Sequence, residues 1–432
     1  MALDKITIDK TRAAAHYKQR NEYARIAAKL VYQRFTKVLP STTLEEHYIS
    51  QLENQVIRDF GQDGGGVDFS ELVFTENVFF NHFHKWGTRI SEAKFTDMAQ
   101  SGILGADGIK AMGESVRQAT AKAAYLPQQL TTGVLRAGTG TKLSTSNGNS
   151  YSLKCYDGLS LFNVAHPVNF KKTKLGTYTN LFSGAPSGTN PGFLPLGGPF
   201  AKNSSTGEWE YNASADVSIE DGWNNLWVAI AYLSTMKMPD GETPRYLTPT
   251  TITCSKQLLK NIDRILDAKN IAVHAGSGSA GGGSMDIEGS IKRLGFKEPT
   301  VLDELSAPKD EALNGTAKIE RYDWFLNCED DNNASEIGSI NIGLRMPWNV
   351  KIFSDGTGGG EAQRELAIED AVEAIGKMRL FVGVGEPQYL YKVQAPRAEC
   401  RITSRPMPSS AAFRPLRSVR LPHSRLNEEQ GT

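Results

Sequence analysis

His82 and His84 lie two residues apart in a β-prone stretch. On a strand they would share one face, and two imidazoles on one face could hold a metal ion. A tetrahedral zinc site needs at least three protein ligands, and no cysteine or third histidine stands nearby in the sequence. The pair therefore reads as packed or solvated imidazoles. Gly138-Thr-Gly-Thr-Lys142 has the glycines and lysine of a phosphate-binding loop, but the lysine follows too soon after the first glycine. A turn accounts for it. Cys328-Glu-Asp-Asp-Asn-Asn333 offers oxygen ligands for calcium but lacks the central glycine and distal glutamate of a dedicated loop, so it reads as an acidic surface turn. There is no GxSxG elbow and no HExxH helix. Residue types and spacing therefore name no catalytic residue, no cofactor and no metal, and the chain reads as a non-enzyme.

The composition narrows the class. In 432 residues, 48 Lys and Arg balance 48 Asp and Glu, for a formal net charge of zero. That argues against a strongly cationic nucleic-acid binder. It suits a protein that packs against copies of itself, because self-repulsion is small. Cys155, Cys254, Cys328 and Cys400 are far apart and form no CxxC pair, which fits a reducing compartment rather than a disulfide framework. The opening Met-Ala-Leu-Asp-Lys lacks a signal-peptide layout, and no apolar run approaches membrane-spanning length. No membrane partner is expected, and the protein is expected to stay in the cytoplasm where it is made.

The elements follow from periodicity. Residues 10–38 read as one basic helix with Tyr23, Ile26, Leu30, Val31 and Phe35 inward, Asp9 as N-cap and Pro40 as the stop. Leu44, Tyr48, Leu52, Val56 and Ile57 predict a second helix, running to the Gly61–Gly66 joint. From 67 to 95 the aromatics crowd into a β-prone segment that predicts a two-stranded excursion; such a hairpin is marginal alone and needs a surface to lie on. Ile109, Met112, Val116, Ala119, Ala123, Leu126, Leu130 and Val134 predict a long helix over 107–136 that Pro127 should kink or split. Residues 138–215 predict short strands and long loops. A helix over 219–237, a strand over 246–254 and a helix capped by Ser255 follow. Residues 276–284 form a Gly/Ser tract with no packing capacity. Strands are predicted near 321–328, 340–344, 350–353, 378–384 and 389–393. The arginines and prolines after Pro396 show no periodicity.

One stretch carries a recognisable text. Tyr156-Asp157-Gly158, then Leu161-Phe162, then His166-Pro167-Val168 resembles a signature of the Mu-type phage major head subunit. The physical reading is compatible: Asp157-Gly158 makes a turn, Leu161 and Phe162 plug a core, and His166-Pro167 fixes an extended exit. Ile90-Ser91 with Phe95 and Asp97, the helix with its internal Pro127, Asn225-Leu226-Trp227, Leu247–Pro249, and the helix of Leu258 and Leu266 follow in the family's order over residues 68–270. The later strands fit more loosely to about 394. The chain is longer than typical members, and residues 170–215 and the tail after Pro396 have no counterpart.

That resemblance implies an α+β chain with the HK97-like capsid fold. It places an N-terminal helical arm at 1–66, an extended hairpin loop at 67–95, and a peripheral domain with its spine helix at 96–222. An axial domain follows at 223–348, peripheral return strands at 349–395, and a disordered tail at 396–432. The implied function is the major capsid protein of a tailed bacteriophage or prophage, assembling with itself into the pentamers and hexamers of an icosahedral shell around the genome. Implied partners are a scaffolding protein, a maturation protease and a portal. The basic arm, through Arg12, Lys18, Arg20, Arg25 and Lys29, would face packaged DNA on the inner surface. Assembly in the host cytoplasm and residence in the virion follow. Phe79, Phe80, Phe83 and Trp86 are the candidates for contact between subunits. Cross-linking through Lys85 or Lys94 occurs in some shells of this fold and is not expected here. The alternatives are a decoration or tail protein, or a hydrolase with an unrecognised site.

Overall fold

A computed structural model describes residues 5–51, 74–91, 107–145, 150–169, 171–188, 190–267, 271–272, 284–285, 294–306, 320–330, 337–353 and 371–396. The glycine joint at 61–66, Lys94, the Gly/Ser tract up to 283, Asp331–Asn333 and the tail from 397 lie outside these residues.

Helix α1 spans Lys5–Ala27 and α2 spans Asp107–Ala137. In α1, Thr11, Ala15, Glu22 and Ile26 are buried at four- and seven-residue spacing, which is the stripe that faces α2. The expected helix to residue 38 stops early. The Val31 N–H bonds to the Gln128 side chain at 3.0 Å instead of to a helical carbonyl, so a tertiary partner replaces the next turn. Pro127 neither splits nor ends α2, which runs through it for 31 residues. One turn on, the Thr131 hydroxyl donates to the Pro127 carbonyl at 2.8 Å.

The strands are β1 (Lys37–Leu39), β2 (Glu45–Gln51), β3 (Phe74–Phe80) and β4 (His82–Ser91), then β5 (Leu181–Phe182), β6 (Leu247–Cys254) and β7 (Thr300–Val301). After them come β8 (Trp324–Asp330), β9 (Ile340–Phe353), β10 (Ala371–Val384) and β11 (Leu390–Val393). One sheet has the order β1-β9-β10-β4, with β1 parallel to β9 and the other pairs antiparallel. Its α2 side buries Ile340, Ile342, Val350, Ile352, Ala374, Met378, Leu380 and Val382 against Met112, Val116, Ala119, Leu130 and Val134. Each such side chain contributes about 1.5–3 kcal/mol on leaving water. The Trp348 indole N–H donates to Thr120 at 3.0 Å and locks helix to sheet.

A five-stranded sheet of order β7-β6-β8-β11-β5 carries a second core. There α3 (Ile219–Leu233) and α4 (Lys256–Leu266) lay Leu226, Ala229, Leu233, Leu258, Ile262 and Ile265 on Ile252, Trp324, Leu326 and Tyr391. Ser218 caps α3, its hydroxyl accepting the Asp221 N–H at 3.0 Å. Ser255 stands before α4, but its hydroxyl donates to the Arg321 carbonyl. The Lys256 N–H is taken by Ser306 at 3.0 Å.

Three expectations are corrected. Residues 45–51 are a strand, not part of a helix, because they pair antiparallel with 74–80 from Glu45↔Phe80 to Gln51↔Phe74. The segment 67–95 is not a hairpin folded on itself: β3 pairs with β2, while β4, after Asn81 alone, pairs with β10. The return to the first sheet begins with β9 at Ile340 rather than at 349, and β11 belongs to the second sheet, beside β8.

Candidate functional site

The signature text folds into a buried polar knot. Gly158 takes φ +78°, the left-handed conformation that a glycine enters freely, and its N–H returns to the Cys155 carbonyl at 2.9 Å. The Asp157 carboxylate accepts the Leu159 N–H at 2.9 Å and, through its second oxygen, meets His166 Nδ1 at 2.6 Å. His166 Nε2 lies 3.2 Å from the Leu161 carbonyl, and the ring stacks on Tyr178. Both side chains are sealed from solvent, at 0% and 1% exposure. The two ring nitrogens face oxygens on opposite sides, the Asp157 carboxylate and the Leu161 carbonyl, which fixes the ring in place. Leu161 and Phe162 are fully buried, and Pro167 continues an extended segment paired with Thr177. Tyr156 is partly buried beside this pair, and burial holds its phenol up. The arrangement positions backbone. Its acid–base groups are saturated by one another and do not face a substrate space.

The other chemical candidates fall apart on inspection of their neighbours. His82 stacks on Tyr151 with centroids 4.0 Å apart, and His84 Nε2 is 3.1 Å from the same tyrosine's hydroxyl. Burial lowers both imidazoles, which are neutral near neutral pH. Among the described residues no three His, Cys, Asp or Glu side chains gather to hold a metal. Gly138–Lys142 follows the C-terminal end of α2, where the helix dipole repels phosphate. Asp330 is buried against Arg245 at 3.0 Å, and Glu329 reaches Lys297 at 3.4 Å, so neither is arranged in a calcium loop. Burial pushes the Cys254 thiol up to about 12 and also raises Cys155 and Cys328, which removes all three as nucleophiles. Among the described residues, no helix is long and apolar enough to cross a membrane.

The aromatic candidates divide. Phe79 is buried, stacked on Phe381 at 5.2 Å and touching Tyr48 at 5.7 Å, so it belongs to the chain's own core and not to an outer contact. Trp86 packs partly buried against the first core. Phe83 is half-buried on the far face of the sheet, with Lys85 and Arg379 each 4.6 Å from its ring centre. Phe80 is 56% exposed and Val78 is exposed on the same face; Leu44, just before β2, is exposed as well. Glu45 and Phe80, and His47 and Val78, are directly opposed, so β2 and β3 present an apolar strip flanked by charge on their outer face.

The basic residues expected to meet DNA are partly committed within the chain. Glu22 takes Arg25 at 2.6 Å and Arg117 at 3.2 Å, and Lys18 lies 3.6 Å from Glu114. Arg20 and Lys29 are exposed.

Two polar residues escaped sequence reasoning. Asn180 is fully buried and donates to the Leu161 and Pro387 carbonyls at 2.7 and 3.0 Å, tying the signature loop to the entrance of β11. Lys392 is 1% exposed. Its ammonium points at the Leu135 and Arg136 carbonyls, the free C-terminal end of α2, and lies 3.5 Å from Asp323. Its signal was a cation inside the apolar run Leu390–Val393.

No protein-family model matches the chain, and no curated protein matches it. Bacteriophage capsids are among the solved structures it resembles. The procapsid of bacteriophage JBD30 is 14% identical over 92% of this chain and 78% of that one, with a TM-score of 0.35. The capsid of cyanophage P-SCSP1u is 11% identical over 85% and 88%, with a TM-score of 0.38. The capsid of Myoviridae phage XM1 is 12% identical over 83% and 89%, also at 0.38.

Proposed function

We propose that this chain is the major capsid protein of a tailed bacteriophage, a shell subunit whose working chemistry is association with its own copies. The observation that carries this reading is the β2–β3 ribbon. It is held to the body at one end by Phe79 on Phe381 and by Asn81, whose amide donates to Thr43 at 2.8 Å and Ser41 at 2.9 Å, and it exposes Leu44, Val78 and Phe80. A two-stranded ribbon is marginal in water, and an apolar strip on one is completed by a surface brought from outside. The signature text of residues 156–167 and the long helix on its sheet support the same reading, and the division into arm, ribbon, peripheral and axial parts is proposed with it. Subunits meeting by such heterologous contacts close into rings of five and six. A scaffold, protease, portal and packaged genome are the partners such a shell requires.

Electron microscopy of the purified protein beside its mass by light scattering tests the reading. Closed shells or their capsomers, alone or with a scaffold, are the expected result. Tubes or small rings would point to a tail protein, and a chain that stays single at high concentration would overturn it.

A further inference from the structure

β4 has a second partner besides β10. A short hairpin of Lys142–Ser144 and Ser150–Ser152 follows α2, and its Tyr151 is buried. The register sets His82 opposite Leu380 and His84 opposite Met378, so both imidazoles lie on the α2 side of the sheet with those core residues. One phenol there holds both. The His82 ring stacks on Tyr151 with centroids 4.0 Å apart, and His84 Nε2 lies 3.1 Å from the Tyr151 hydroxyl. Both histidines are half-buried. Asn81 alone separates His82 from Phe80, the last residue of β3, so this contact sits at the root of the ribbon.

Among the described residues, neither ring has an acid for a neighbour. On β10, Lys377 and Arg379 alternate with Met378 and Leu380 and take the opposite face of the sheet, as Lys85 does on β4. On the hairpin, Lys142 is paired with Ser152, on the face away from Tyr151. The buried stripe of α2 contains no charged side chain, and Glu45, at the near end of β2, is exposed. Burial lowers both imidazoles, and the one charge that acts on His84 is that of His82. Burial also holds the Tyr151 phenol up, so it supplies no anion. A proton on either ring therefore makes a cation that has lost hydration and gained no counterion, and a second proton adds repulsion. Such a pair binds fewer protons folded than unfolded. The contact is at full strength above the ordinary histidine value of 6.5 and weakens as pH falls through it.

We infer that His82, His84 and Tyr151 form an acid-operated latch, which holds the root of the ribbon to the hairpin when neutral and releases it when protonated. The opening is local, because the two cores beneath contain neither histidine. It takes place within one chain, so it stands apart from the self-assembly reading.

Hydrogen exchange of the full-length protein at pH 7.5 and pH 5.0, each rate divided by the intrinsic rate at that pH, tests the latch. Amides of residues 74–91 and 150–153 are expected to exchange at least about tenfold faster at pH 5.0, while α2 and the second sheet change less than about threefold. His82→Phe with His84→Gln keeps an aromatic ring and a hydrogen-bonding group but takes up no proton, and should exchange alike at both pH values. A parent that shows no acid rise would overturn the inference. So would a rise that persists in the double variant, or one shared equally by α2 and the second sheet. Should circular dichroism show the double variant misfolded, each single substitution is expected to cut the rise at least about threefold, and an undiminished rise in both overturns the latch. A chain that opens in this way yet never assembles would remove the function reading and leave the latch standing.

Discussion

His166 and Asp157 show how a sequence text becomes a physical constraint. A buried histidine–carboxylate pair is a weak source of net stability, yet removing one partner leaves the other without its hydrogen-bond partner in a dry site. Asp157→Asn is expected to cost about 3–5 kcal/mol, read as a lower thermal midpoint, while Asp157→Asn with His166→Gln should recover part of the loss. A single variant as stable as the parent would show that the pair does not hold the turn. The ribbon's two adjacent phenylalanines make the second residue-scale contrast. Phe79→Ala empties a buried site against Phe381 and should cost about 3–5 kcal/mol, whereas Phe80→Ser at an exposed position should stay within about 0.5 kcal/mol of the parent in the isolated chain. Urea unfolding of both decides it, and equal losses would contradict the assignment of Phe79 to the core. Composition and turn chemistry made the Asp157-Gly158 turn and the buried Leu161-Phe162 pair legible in the sequence. Nothing local distinguished Phe79 from Phe80, since alternation fixes two faces without saying which is inward. Lys392 was visible as an oddity in an apolar strand, but its partners, the end of α2 and Asp323, are remote in sequence.

Elements with a strong private period were legible. The stripe of α2 is recognisable before any partner is known, and Pro127 misled because the rule that proline breaks helices weighs local geometry while packing along the whole helix outweighs it. Residues 45–51 were not legible. Leu44, Tyr48 and Leu52 satisfy a helical spacing, but the stretch is fixed by pairing with residues 74–80, which no local window contains. The α1–α2 contact makes a prediction at this scale. Arg117 and Lys18 hold the Glu114 carboxyl down at about 2, and Arg25 with Arg117 lowers Glu22. Carboxyls depressed in the fold stabilise it fully above their ordinary value near 4.5, and that contribution disappears as pH falls toward 2. Acid should therefore loosen this helix pair over that window. Glu22→Gln with Glu114→Gln should lower stability at neutral pH and flatten the acid limb of stability against pH. An acid limb unchanged in slope would remove these carboxyls from the account.

At the scale of the whole molecule the two cores bury their apolar side chains within the chain, while the described ribbon leaves Val78 and Phe80 exposed, the asymmetry on which the proposed function rests. The outer strip of Val78 and Phe80 has charged or polar neighbours on the same face, Glu45, His47 and Glu76, and Leu44 is exposed just before β2. Changing Leu44, Val78 and Phe80 together to Ser removes apolar area that the monomer leaves in water, so its unfolding midpoint should scarcely move. Assembly should suffer instead, because every copy in a closed ring repeats the loss and the deficits accumulate over the shell. About 1 kcal/mol lost per contact weakens each junction roughly fivefold, and a ring of six requires all its junctions at once. The expected outcome is a folded, monodisperse protein that sediments as single chains where, on the proposed function, the parent forms capsomers. A triple variant that still closes shells at the parent's concentration would leave the strip without a role in association.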